Sequence, residues 1–246
     1  MKKFELTTEF ITNAFGKKLF RIKALVEFGN VKAGELGGYV EKEGNISQDG
    51  NAWVYDNARV SGNAKVYGNA WVYGNAWVCG NAKVCGDAWV CGNAWVYDNA
   101  RVYGNARVYG NARVYGNAWV YDNARVSGNA KVYGNAWVYG NAKVCDNAWV
   151  YDNAWVCGNA WVCGNARVSG NADYALVQGF GTEFRCTTFY RDKNKKIMVN
   201  CGCFHGDLEE FRKRVKETRN GKIAKEYLTI ADLMEYHFAS EDSSDE

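Results

Sequence analysis

From Asn51 onward the chain repeats a six-residue phrase, Asn-Ala-x-Val-y-Gly, and stepping by six from Ala52 to Ala172 counts 21 copies. Such strict self-similarity is the signature of a solenoid. Within each copy Ala and Val stand two residues apart, so in an extended segment they share one face and x and y share the other. The interior is therefore Ala and Val. Gly-Asn suits a corner, because both residues tolerate the left-handed backbone region. Three extended runs and three corners close a triangle of 18 residues, and 21 copies make seven coils, a prism about 34 Å long at about 4.8 Å per coil. Strictness follows from the narrow interior, which admits only small and β-branched residues, and from corner Asn side chains able to bond up a ladder.

The variable letter x faces outward and recurs on one face every 18 residues. One face carries Trp53, Trp71, Trp89, Arg107, Arg125, Lys143 and Trp161. A second carries Arg59, Trp77, Trp95, Arg113, Lys131, Trp149 and Arg167; the third carries Lys65, Lys83, Arg101, Trp119, Trp137, Trp155 and Asp173. All 10 tryptophans lie on these ladders, and none is expected in the core. Trp53, Trp71 and Trp89, and again Trp119, Trp137 and Trp155, form apolar strips of the kind that mark interfaces. Cations stacked about 4.8 Å apart, as in Arg107, Arg125 and Lys143 or in Lys65, Lys83 and Arg101, repel unless a polyanion, a partner's carboxylates or aromatic faces relieve them. A plainer reading is that Trp, Tyr and Arg stack on one another and stiffen the solenoid.

The phrase resembles the hexapeptide-repeat superfamily, as in Val108-Tyr109-Gly110-Asn111-Ala112-Arg113, with Tyr, Cys or Ser after Val where that superfamily carries a small or acidic residue. The resemblance implies a mainly β chain built on a left-handed parallel β-helix; the handedness rests on it and not on the spacing. The run Gly34-Glu35-Leu36-Gly37-Gly38-Tyr39-Val40-Glu41-Lys42-Glu43-Gly44-Asn45-Ile46-Ser47, with the later Gly202-Cys203-Phe204, is similar to a group of such proteins in Gram-positive bacteria and their phages. That group implies no settled activity, and a phage origin makes interference with a host system a reasonable expectation.

Four regions are expected: a β cap over 1–34, the repeats over 35–173, an α+β domain over 174–238, and an acidic disordered tail over 239–246. The cap reads as strands Phe4–Phe10 and Lys18–Leu25, with irregular first coils over 36–40 and 45–47. The last domain reads as a hairpin of Phe184–Tyr190 with Lys196–Phe204, a helix from Asp207 to Arg219 ended by Gly221, and a helix from Ala224 to Phe238.

Catalytic chemistry is sparse. Acyltransferases of the superfamily place a histidine between coils, yet the 2 histidines, His205 and His237, lie outside them. His205 is thus the base of a runner-up reading as a divergent transferase. The corner residues Asp56, Asp98, Asp122, Asp146 and Asp152 have no Asp on the adjacent coil, so they form no acid–base pair and are expected to replace Gly at turns. Nine cysteines, an odd number without a signal segment, point to reduced thiols in a cytoplasmic protein. Cys79, Cys85 and Cys91 fall on different corners, whereas Cys145 and Cys163 stack. Cys186, Cys201, Cys203 and His205 could form a zinc site, although half-buried strand residues are the plainer reading.

No cofactor motif occurs and no stretch is apolar enough to span a membrane. The net charge of +3 argues only weakly for a nucleic-acid partner, and glycan or polyanion binding along the strips is a third reading. The leading expectation is a non-catalytic scaffold that forms homo-oligomers and binds a protein partner.

Overall fold

A computed structural model describes residues 2–13 and 16–239. The expected acidic tail, apart from Ala239, lies outside them. The repeats fold as a parallel β-solenoid of about seven turns, each copy contributing a two-residue strand of x and Val. Rungs 18 residues apart pair in register, so Arg107 stands between Trp89 and Arg125, and Trp137 between Trp119 and Trp155. Every Ala from Ala52 to Ala166 and every Val from Val54 to Val168 is fully buried.

Three kinds of bond join the coils. Backbone N–H groups donate to the next coil, as from Arg113 to Ala130 O at 2.9 Å and from Asn111 to Gly128 O at 2.8 Å. Corner asparagines run as amide ladders, Asn63 to Asn81 to Asn99 to Asn117 to Asn135 to Asn153 among them. Asp87 accepts from Asn69 at 2.9 Å but its carboxylate has no proton to pass on, and that corner's ladder begins again at Asn105. The five corner aspartates adopt left-handed φ of 53–58° in place of Gly, as expected. Four of them use the side chain to accept the N–H of the Gly one coil on, at 3.0–3.2 Å.

The ends depart from the sequence expectation in instructive ways. Strands β1 (Phe4–Thr12) and β2 (Lys18–Ala24) pair antiparallel, and β3 (Leu36–Val40) links β2 to the rung Arg59–Val60, so the cap extends one solenoid face. Lys3 is buried and donates to Gly50 O at 3.2 Å and Ala52 O at 3.0 Å, carbonyls of the first coil, which no earlier coil can satisfy. The 21st copy leaves the solenoid: Asn171–Asp173 is a 3₁₀ turn and Asp173 is not a rung. Tyr174 occupies the place of Val there, and the Asp173 carboxylate accepts from Ser169 N at 2.8 Å and Gly170 N at 3.1 Å, which holds the turn.

Tyr174–Phe180, Arg185–Arg191, Ile197–Cys201 and Phe204–Asp207 form an antiparallel sheet carrying two helices. The stretch 196–204, expected as one strand, divides at a turn where Gly202 takes φ 62°. Helix α1 (Leu208–Thr218) is capped by Asp207, whose carboxylate accepts from Glu210 N at 2.8 Å. Gly221 opens helix α2 (Gly221–His237) rather than ending α1. Phe189, Phe211, Val215, Tyr227 and Met234 make a separate apolar core between sheet and helices.

Candidate functional site

Two of the three outward faces carry the tryptophan strips and cation ladders read from the sequence. On the third face Trp119, Trp137 and Trp155 stack in parallel at 5.1 Å, and the Arg101 guanidinium lies 4.8 Å over the Trp119 ring. Beside them Tyr103, Tyr121 and Tyr139 stack at 4.9–5.0 Å, with Tyr103 and Tyr121 edge-on to Trp119 and Trp137. Trp155, at the end of the stack, is 46% exposed. Lys65 and Lys83 continue this face with no ion pair or ring contact among the described residues. The face is thus divided along its length into a cationic half and an aromatic half.

On the first face Trp71 and Trp89 stack at 5.6 Å, Arg107 covers Trp89 at 4.5 Å, and Lys143 covers Trp161 at 5.3 Å. Arg125, between those two cations, has no such contact among the described residues. Trp53 corrects the expectation that no tryptophan is in the core. It is fully buried beneath Phe4 and Phe28, because the cap lies across the first coil. It belongs to the core and not to an exposed strip.

The stacking has a chemical consequence. Trp137 has a tryptophan on each face, and Trp119 has Arg101 on one and Trp137 on the other, so these rings present edges to solvent. A base or sugar ring needs a free π-face to stack on. Part of the charge repulsion is relieved internally, as the plainer reading of the ladders expects.

A second cluster lies where the last coils meet the C-terminal sheet. The sulfurs of Cys145 and Cys163 and a carboxylate oxygen of Asp146 lie within 4.8 Å of one another. The Trp161 indole N–H donates to Cys145 Sγ at 3.1 Å, and the Asn200 amide donates to Cys163 Sγ at 3.1 Å. His205 Nδ1 is 2.7 Å from Asn200 Oδ1 and 3.6 Å from Cys163 Sγ. A hydrogen bond from Cys145, opposed by burial and aided by bonds from Tyr190 and Asn200, lowers the pKa of the Cys163 thiol; the same sulfur contact and burial raise that of Cys145.

The alternative zinc set of Cys186, Cys201, Cys203 and His205 does not assemble. Cys186 bonds Asn159 O at 3.4 Å, Cys201 accepts from Thr187, and Cys203 is exposed on the turn that separates it from His205. The stacking of Cys145 and Cys163 was legible from their spacing; no pattern marked Tyr190 or Asn200.

No helix among the described residues is long and apolar enough to cross a membrane. No curated protein matches the chain. Residues 64–80, 94–108, 106–122 and 124–140 match the YdcK beta solenoid repeat family, and these stretches fall within the coils. Sequence match and coordinates agree that the central region is a repeat β-solenoid similar to the YdcK repeat.

Proposed function

We propose that the chain is a non-catalytic scaffold that self-associates through its third face and offers the remaining ladders to a protein partner. The carrying observation is the order of that face, Lys65, Lys83, Arg101, Trp119, Trp137, Trp155. A two-fold axis between the rungs of Arg101 and Trp119 sets Lys65 against Trp155 and Lys83 against Trp137 of a second copy. The surface is complementary to itself, as an isologous interface requires. The aliphatic stems of Lys65 and Lys83 cover the Trp edges, which leave water while the ammonium groups stay solvated at the rim. The first face also sets Trp71 and Trp89 before Arg107, Arg125 and Lys143, but its Trp53 is buried and Trp161 follows the cations, so it is not complementary to itself in this way.

The hexapeptide-repeat affinity, with its left-handed coil and its Gram-positive or phage origin, is part of the same reading and rests on the Val108–Arg113 phrase and the 34–47 run. A cytoplasmic setting, which keeps the nine free cysteines reduced, and interference with a host system complete it. Light scattering coupled to size exclusion tests the assembly. The native chain is expected to run as a defined dimer, and the Trp119→Ser, Trp137→Ser, Trp155→Ser variant as a folded monomer. A native monomer, or a variant that stays dimeric, contradicts the proposal.

A further inference from the structure

We infer that the corner formed by Cys145, Asp146 and Cys163 binds a thiophilic divalent cation of the Zn²⁺ class. The corner is where two departures from the repeat coincide. Cys145 and Cys163 are the one pair of repeat cysteines stacked on adjacent coils; Cys79, Cys85 and Cys91 have Tyr or Ser above and below. Asp146 is also the one corner aspartate that follows Cys, since Asp56, Asp98, Asp122 and Asp152 follow Tyr.

Three donors lie within 4.8 Å of one another, with Cys145 Sγ 4.0 Å from Asp146 Oδ2. Bonds of about 2.3 Å to sulfur and about 2.1 Å to oxygen set neighbouring donors of a tetrahedral ion about 3.5–3.8 Å apart. A contraction of about 1 Å or less therefore closes the three around one ion. Asp146 is exposed, so the fourth position opens to water.

The sulfurs' surroundings point the same way independently. Each sulfur receives an N–H from outside the triad, Trp161 Nε1 for Cys145 and Asn200 Nδ2 for Cys163, an arrangement suited to thiolates. His205, donating from Nδ1 to Asn200 Oδ1, turns that amide so its N–H₂ faces Cys163. His205 is therefore a positioning residue. Ion binding releases the two thiol protons to solvent and moves no electrons. Because Asn200 and His205 belong to the C-terminal sheet, the ion would fasten that sheet to the last two coils.

The test is titration of the reduced full-length chain with Zn²⁺, and with Co²⁺ followed by absorption. One ion per chain is expected, with a thiolate-to-cobalt charge-transfer band. Asp146→Gly restores the residue usual at that corner, and Cys145→Ser copies Ser127 one coil earlier, so both variants keep the repeat. Each is expected to weaken binding by about 100-fold or more, beyond the 10–100-fold typical of losing a residue that only supports a ligand. Cys79→Ser should change nothing. The inference is overturned if the reduced native chain gives no thiolate band, if Cys145→Ser and Asp146→Gly bind as tightly as the native chain, or if the site reacts only by oxidation to a Cys145–Cys163 disulfide.

Discussion

The solenoid and the C-terminal domain bury opposite kinds of residue. From Ala58 to Val168 the solenoid interior is Ala and Val throughout, and its large rings stand outside in ladders. The C-terminal domain instead buries Phe189, Phe211, Tyr227 and Met234, and keeps Lys and Arg on its surface. The difference lies in what supplies cohesion. Backbone and Asn ladders repeat on every coil of the solenoid, so a narrow core of small side chains is enough; the smaller domain has few strands and relies on packing area. Aromatic residues released from the core then become the solenoid's exposed chemistry.

The largest effect that separates the two regions should come from Phe211→Ala. Its ring touches Phe189, Phe204 and Tyr227, and removing it is expected to cost about 3–5 kcal/mol. Denaturant unfolding should then show helix loss in a first transition while the solenoid persists. A single transition as cooperative as the native one would mean that the two regions stand or fall together.

A smaller effect is expected from Gly110→Ala. The φ of 71° is hostile to a Cβ, which would lie 3.1 Å from Gly128 N, so a loss of roughly 1–2 kcal/mol is expected. Gly110→Asp should lose less, because Asp already occupies this backbone region at Asp122 and Asp146. Equal losses would remove the account of corner aspartates as Gly substitutes.

The smallest is a pH dependence. Burial, followed by neighbouring tyrosines, raises Tyr97 and Tyr121 to about 12. Between about pH 10, the ordinary tyrosine value, and pH 12 the folded state holds protons the unfolded state has lost, so solenoid stability should fall as pH rises. Lys3 acts oppositely: burial, opposed by Asp49, lowers it to about 8, so its contribution grows from pH 8 to 10.5. Denaturant midpoints across this range, with Lys3→Met as comparison, check both signs.

How far each region could be read follows from the same contrast. The repeat fixes register by identity, so through its twentieth copy the coil number, Ala and Val core, face membership and Asn ladders were legible. Aperiodic decisions were not. Nothing local in Trp53 says that Phe4 and Phe28 will cover it, and nothing in the phrase says that Asp173 will accept from Ser169 and Gly170 and turn the 21st copy out of the solenoid. The turn at Gly202 moved His205 away from Cys201 and Cys203, which a single strand would have kept on one side. The stacking of Cys145 on Cys163 was visible in the spacing, whereas Asn200 reaches it through tertiary placement alone.

Mixing two half-faces tests the self-complementary surface most directly. Lys65→Glu/Lys83→Glu retains the tryptophans, and Trp119→Ser/Trp137→Ser/Trp155→Ser retains the lysines. Light scattering should find each variant alone monomeric and their equimolar mixture forming a dimer weaker than the native one, because one of its two lysine–tryptophan contacts is restored. A mixture that remains monomeric while the native chain dimerises would show that the two halves of this face do not meet across a two-fold axis.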